Sequence, residues 1–283
     1  MKLKDIQAIY RDELKAIYPR EEINNIFYLL LEHDLGLDRF ILAMQPEYRL
    51  TKEEEQPLFT ALSSLKTDYP IQYILGKAHF MDLEFLLNES VLIPRPETED
   101  LVRWVLEDRP LVTDSPQLLD IGTGCGCIAI SLARNWPHAR VTALDLSDGA
   151  LDVAGKNAGR LGVEINLVKA DILRPFETDR QWDIIVSNPP YVREADKLYM
   201  HNNVKGHEPA MALFVPDENP LLFYEHIADF ARKQLCKEGL LYLEINQYLG
   251  QEMVQMLSDR NFSDIRLRKD LFGNDRMIRA KRP

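Results

Sequence analysis

Gln117-Leu118-Leu119-Asp120-Ile121-Gly122-Thr123-Gly124-Cys125-Gly126-Cys127-Ile128-Ala129-Ile130-Ser131-Leu132-Ala133 changes its rhythm partway along. Its first residues have the content of a short buried strand, and its last residues repeat their apolar positions at helical spacing. Between them lies a glycine-rich turn. A strand, such a turn and a helix open a parallel α/β sheet, with the turn at the carboxyl end of the first strand, where bare backbone lets a ligand come close. A dinucleotide site would carry GxGxxG. Here the spacing is GxGxG from Gly122 to Gly126, and Asp120 stands just before it. A carboxylate there suits a cationic, amino-bearing ligand better than a pyrophosphate, which favours S-adenosylmethionine over NAD. Gly122, Thr123, Gly124, Cys125 and Gly126 are the expected cradle, with Asp120 beneath it.

Working outward, Arg140–Leu144 reads as a second strand ending at Asp145. An acidic residue at that tip is placed to accept from both hydroxyls of a ribose. Ile165–Ala170 reads as a third strand, followed by Asp171 and Ile172. Asp171 is expected to accept from an adenine amino group, with Ile172 against the ring. The fourth strand lies in Trp182-Asp183-Ile184-Ile185-Val186-Ser187-Asn188-Pro189-Pro190-Tyr191. Neither proline has an N–H, and Pro190 keeps Pro189 out of helical dihedrals, so the strand ends in a stiff, extended segment. Asn188 has both an acceptor and a donor, and Tyr191 adds a flat ring. That edge suits an NH2 group on a planar system, and Asn188 arrives there beside the expected cofactor. A single acidic strand tip is often only a helix cap. Three of them in order, with the glycines and Asn188–Tyr191, make a site.

Upstream, residues 4–73 are patterned as short helices. Ile6, Ile9, Tyr10, Leu14 and Ile17 share one face, and Ile23, Ile26, Phe27, Leu30 and Leu31 share another. Leu37–Ala43 reads as a shorter helix, and Thr51 with Glu54 reads as a capping box. Residues 78–87 and 90–93 have strand content, with a turn expected at Asn88-Glu89. Pro94-Arg95-Pro96-Glu97 then makes a rigid corner before a helix, a candidate wall of the pocket. Downstream, Leu221–Leu235 and Gln251–Leu257 read as helices around a fifth strand at Gly239–Ile245. A closing hairpin turns at Gly273-Asn274, and Arg276, Arg279, Lys281 and Arg282 form a basic end read as solvated.

The chain has 283 residues, 46% of them hydrophobic, and a formal charge of −11. That charge disfavours a stable grip on nucleic acid. The three cysteines and six scattered histidines show no ligand spacing, so no metal is expected. No run reaches the length of about 18 apolar residues that marks a membrane span, and the first residues do not resemble a signal peptide. No membrane association and a cytoplasmic location follow as expectations.

Several strings resemble the protein-(glutamine-N5) methyltransferases that modify peptide chain release factors. They are Pro70–Gly76 (PIQYILG), Val91–Glu99 (VLIPRPETE), Leu118–Gly126 (LLDIGTGCG), Ala143–Ser147 (ALDLS), Ser187–Tyr191 (SNPPY), His207–Leu213 (HEPAMAL) and Asp270–Arg276 (DLFGNDR). The resemblance implies a Rossmann-like α/β fold, the seven-stranded class I methyltransferase sheet with one reversed strand. It also implies a helical substrate-docking domain over 1–76, a connecting β-hairpin over 77–93 and the S-adenosylmethionine-dependent domain over 94–283. Two stretches depart from the family: Phe214–Asn219 replaces a glycine-rich loop, and Asn246 stands where glycine is usual.

The resemblance further implies methyl transfer to the side-chain nitrogen of the glutamine in a release factor's GGQ loop, by a monomer, with S-adenosylhomocysteine as the other product. Asn188, Pro189, Pro190 and Tyr191 would be the catalytic and substrate-binding residues. Pro94, Arg95, Pro96 and Glu97 would join them on the substrate side. The Asn188 side-chain oxygen and the Pro189 carbonyl would accept from the glutamine NH2, and direct displacement needs neither a metal nor a covalent intermediate. Three rivals stand beside this reading: adenine-N6 methylation of DNA or RNA, which uses the same tetrapeptide; glutamine methylation of a ribosomal protein; and a catalytically inactive cofactor-binding module.

Overall fold

The computed structural model describes residues 1–109, 113, 115–174, 178–199 and 206–283. Two compact units divide the chain: Met1–Gly76 with Gly206 and His207, and the remaining described residues from Lys77 onward.

The smaller unit contains α1 (Leu3–Leu14), α2 (Arg20–Leu35), α3 (Ile41–Met44), α4 (Lys52–Leu65) and α5 (Ile71–Leu75). The predicted stripes meet in one core of Leu3, Ile6, Tyr10, Leu14, Ile23, Phe27, Leu30, Leu58 and Leu62, among others. Tyr10 meets Phe27 edge-on with centroids 5.0 Å apart. The capping box forms: Glu54 N donates to Thr51 Oγ1 at 3.3 Å and Thr51 N donates to Glu54 Oε2 at 2.8 Å. α3 is shorter than the expected Leu37–Ala43 helix. The Asp38 side chain accepts from Phe40 N at 2.7 Å, a local turn that competes with the helix through that stretch. α4 ends at Leu65, ahead of Pro70, and Pro70 stands as the N-cap of α5.

The larger unit begins with a hairpin whose turn differs from the expected one. β1 (Lys77–Phe80) pairs with β2 (Leu83–Leu86), and the turn is Met81-Asp82, with φ of 49° and 60°. Left-handed backbone at both positions is what a two-residue hairpin needs, but methionine does not advertise it. A tertiary contact helps hold the turn: Met81 N donates to Glu99 Oε1 at 2.9 Å. The expected turn at Asn88-Glu89 forms, with Val91 N donating to Asn88 O at 3.2 Å and Ser90 N to Asn88 Oδ1 at 2.9 Å, but no second strand follows it. Residues 90–93 join no ladder.

Next come α6 (Pro96–Glu107), β3 (Gln117–Ile121), α7 (Cys127–Asn135), β4 (Arg140–Asp145), α8 (Asp148–Leu161), β5 (Asn166–Lys169) and β6 (Trp182–Ser187). β7 (Val192–Arg193) and β8 (Phe214–Val215) form a small parallel pair of their own. The chain closes with α9 (Leu222–Gln234), β9 (Leu235–Glu244), α10 (Gly250–Asp259), β10 (Ser263–Lys269) and β11 (Asp275–Lys281).

Seven strands make one sheet in the order β10-β11-β9-β6-β3-β4-β5. β11 is antiparallel to both neighbours, and the pairs among β9, β6, β3, β4 and β5 are parallel. The chain runs outward from β3 to β5 and then returns to β6 on the other side. This is the reversal that opens a crevice at the carboxyl ends of β3 and β6. There Ile121 pairs with Ser187.

Gly126 shows why the turn after β3 is glycine-rich. Its φ is 85°, and a Cβ would lie 2.9 Å from Ile130 Cδ1 and 3.1 Å from Ala154 Cβ. The basic end is not simply solvated. Arg279 is buried and bridges Asp108 Oδ2, at 2.7 Å, and Asp264. Arg276 pairs with buried Asp270 at 3.2 Å. The inward face of β11 carries Arg279 into the sheet's packing, so the pattern of charges alone misled.

Candidate active site

At the end of β3, Asp120 is fully enclosed. Its Oδ2 accepts from Thr123 Oγ1 at 2.6 Å and from Ala129 N at 3.2 Å, which braces the turn against the start of α7. Its Oδ1 is buried and has no hydrogen-bond partner. Burial pushes its pKa up to about 7, against the pull of the Thr123 and Ala129 hydrogen bonds. The turn is tied to β4 as well, since Gly122 N and Thr123 N both donate to Leu144 O.

At the tip of β4, Asp145 Oδ2 accepts from Gly124 N and Oδ1 from Ser147 N, each at 2.9 Å. Beyond β5, Asp171 Oδ1 accepts from Leu173 N at 3.0 Å and Oδ2 pairs with Arg174 Nε at 3.2 Å. Each carboxylate retains lone pairs for a ligand.

A cavity of about 440 Å³ connects these tips to β6. Gly122, Gly124, Asp145, Asp171, Ile172, Asn188, Pro189 and Pro190 line it. Asp120, Thr123, Cys125 and Gly126 do not line it, and neither do Pro94, Arg95, Pro96, Glu97 or Tyr191. Its apolar walls include Val91, Leu92, Leu146, Met211, Phe214 and Phe223. Sequence reasoning had placed none of these six at the site. Phe214 belongs to the departing loop, whose first residues form β8 against β7.

The Pro94–Glu97 corner is anchored by buried Glu208. That carboxylate accepts from Ile93 N at 3.2 Å and from Arg95 Nη2 at 2.6 Å. Arg95 is thereby engaged within the protein.

Asn188 is held by a chain of side chains. Its Nδ2 donates to Thr98 Oγ1 at 3.1 Å, and Thr98 Oγ1 donates to Glu244 Oε2 at 2.6 Å. Tyr191 Oη donates to Glu244 Oε1 at 3.1 Å. Glu244 is buried at the end of β9, and burial raises its pKa, while Thr98, Tyr191 and Arg276 draw it down. Burial likewise drives the Tyr191 phenol far above its ordinary value. Asn246 Nδ2 donates to Tyr191 O at 3.2 Å, which steadies this segment. Sequence reasoning missed Thr98 and Glu244. One signal was available for Glu244: it is a lone charge in the apolar run from Leu240 to Ile245.

Three features fit an S-adenosylmethionine molecule. A buried carboxylate oxygen is left without a partner at Asp120. Gly122 and Gly124 have φ of 74° and 56°, with nothing within 4 Å of where a Cβ would stand. Two acidic strand tips, Asp145 and Asp171, line the cavity. Among the described residues, no group of three or more His, Cys, Asp or Glu could hold a metal ion.

Strand order, crevice and acidic tips define a class I methyltransferase. Two solved structures share the fold with a TM-score of 0.52. One is the Thermus thermophilus 16S rRNA N2 G1207 methyltransferase in complex with AdoMet and guanosine, 20% identical over 73% of this chain and 50% of that one. The other is a methyltransferase from Pyrococcus furiosus, 13% identical over 82% of this chain and 98% of that one. Residues 6–76 match the family model of the PrmC N-terminal domain, and residues 102–205 that of the methyltransferase small domain. The release factor glutamine methyltransferase of Flavobacterium psychrophilum is 46% identical over 282 residues, 99% of each chain. That of Bacteroides thetaiotaomicron is 43% identical over 98% of this chain and 99% of the relative. The Streptococcus pneumoniae protein of the same name is 39% identical over 98% of both. The chain belongs to the release factor glutamine methyltransferase family.

Proposed function

We propose that the protein methylates the side-chain nitrogen of the glutamine in the GGQ loop of peptide chain release factors, with S-adenosyl-L-methionine as donor. The observation that carries this reading is the orientation of Asn188. Its NH2 is engaged by Thr98, so its Oδ1 is left as an acceptor beside the Pro189 carbonyl. Among the described residues neither oxygen takes a hydrogen bond from the protein.

The acceptor chemistry explains why two such oxygens are needed. An amide nitrogen is a poor nucleophile because its lone pair is shared with the carbonyl. When both its N–H bonds donate to Asn188 Oδ1 and Pro189 O, the nitrogen is fixed in orientation. The two oxygens also stabilise the positive charge that develops on it. Tyr191, tethered to Glu244, offers a ring for the amide plane. Bound S-adenosylmethionine supplies an electrophilic methyl group. Asp145 and Asp171, with Gly122, Gly124 and Ile172, would hold it, and Asp120 would brace the turn that carries the glycines. No strong base is required, because the proton leaves after the nitrogen has gained its fourth bond.

The helical unit, residues 1–76, is the proposed docking unit for the release factor, and a cytoplasmic monomer is the proposed working form. No helix among the described residues is long and apolar enough to cross a membrane.

Mass spectrometry of a release factor incubated with enzyme and donor tests the function directly. One added methyl group is expected, on the glutamine of the Gly-Gly-Gln loop. Label appearing on adenine in DNA or RNA, or on a ribosomal protein, with none on the release factor, would overturn the proposal.

A further inference from the structure

Glu244 is an expensive residue for its place. It ends β9, lies 1% exposed, and follows the buried residues Leu240, Leu241, Tyr242 and Leu243. Its ladder partner on β11 is Met277. A carboxylate enclosed in such surroundings stabilises a fold less than an apolar residue of similar size. Both of its oxygens nevertheless reach the segment that holds the substrate amide, through Thr98 and Tyr191.

The chain of bonds has a direction. Thr98 Oγ1 and Tyr191 Oη each donate to a different oxygen of the Glu244 carboxyl group, so the single Thr98 hydroxyl proton points to Oε2, 2.6 Å away. The Thr98 oxygen must then accept, and the Asn188 atom 3.1 Å from it must be the NH2 nitrogen. This leaves Oδ1 as the group offered to the substrate. The reversed amide would present NH2 to an incoming NH2, donor against donor, and the substrate would lose one of its two anchoring bonds.

We propose that Glu244 and Thr98 are positioning residues that set the polarity of the acceptor site. Glu244 orients Thr98, Thr98 orients the Asn188 amide, and the other Glu244 oxygen aligns Tyr191. The proposal deepens the glutamine-methylation reading and rests on it. It makes Thr98, at the start of α6, part of the substrate machinery although it never meets the substrate.

The test uses Thr98→Val, Thr98→Ser and Glu244→Gln in the full chain, with kcat, KM for the release factor, and cofactor affinity by calorimetry. Valine keeps the shape of threonine and lacks the hydroxyl; serine keeps the hydroxyl. Glutamine brings a donor to one of the two positions that need an acceptor. Thr98→Val and Glu244→Gln should lower kcat at least about tenfold, with cofactor affinity within about threefold of the parent. Thr98→Ser should stay within about threefold in both.

The second readout does not depend on turnover. The side-chain amide signals of Asn188, identified in 15N spectra by their loss in Asn188→Asp, should show contact with the Thr98 methyl. They should shift in Glu244→Gln. Equal kcat losses in the serine and valine variants would overturn the proposal, as would Asn188 signals that do not move in Glu244→Gln. If the parent enzyme methylates no release factor, the functional reading fails, and the amide signals alone decide the inference.

Discussion

Asp120 is enclosed completely, yet only one of its two oxygens is hydrogen-bonded. Burial raises its pKa from 3.8 to about 7, so the folded protein holds this proton more tightly than the unfolded chain does. The resulting stability is fully present below about pH 4 and is lost as pH rises through about 7, on the order of 4 kcal/mol in all. In the ligand-free protein, urea unfolding between pH 5 and pH 8 should show a loss of stability that Asp120→Asn lacks. Parallel pH slopes for the two proteins would refute this. Asn188 makes a different demand. Asn188→Ala should lower turnover by about a hundredfold or more while donor affinity stays within a few fold. Calorimetry showing an equally large loss of donor binding would end the division between amide-holding and donor-holding residues.

At the scale of elements, α8 holds the hairpin and the glycine turn with one side chain. Asn157, fully buried, accepts from Leu86 N at 2.7 Å and donates to Leu86 O at 3.0 Å and Cys125 O at 2.9 Å. Asn157→Ala leaves three backbone groups without these partners and should cost about 3 kcal/mol in chemical denaturation. Amide exchange at Leu86 should accelerate in that variant, and unchanged exchange there would show that the tie is dispensable. The same region shows where sequence patterns stop being informative. The prolines around Arg95, the capping box at Thr51 and the glycine turn act through neighbouring backbone, and each was legible. The Met81-Asp82 turn was not, because it uses left-handed backbone at a residue that rarely adopts it and is held by Glu99 from another element. Nor was the early start of β9 at Leu235, where Glu238 also takes a positive φ, at 66°.

At the scale of the molecule, two cores with no residue in common lie in the two units. The residues proposed to hold the donor all lie in the larger one, so a donor molecule should stabilise that unit selectively. A ligand at a hundred times its dissociation constant adds about 2.7 kcal/mol to the state that binds it. Hydrogen exchange with and without S-adenosylmethionine should show added protection in β3, β4 and β6, and little in α1, α2 and α4. Equal protection in both units would mean that they open as one. The formal charge of −11 belongs to this scale too, because repulsion from a phosphate backbone is a property of the whole surface.

The sequence by itself determined the order of strands and helices around the glycine turn, the acidic tips, the stiff Asn188–Tyr191 segment and the family. Periodicity, proline geometry and local hydrogen bonding are written in neighbouring residues. Only the tertiary structure decided which side chains meet. Thr98 reaches Asn188 across 90 positions and Glu244 across 146, and Arg279 reaches Asp108 across 171. Asn188 and Glu244 come together because β6 and β9 are neighbours in the sheet. A strand's pattern records which of its faces is buried, and it does not record which strand lies beside it.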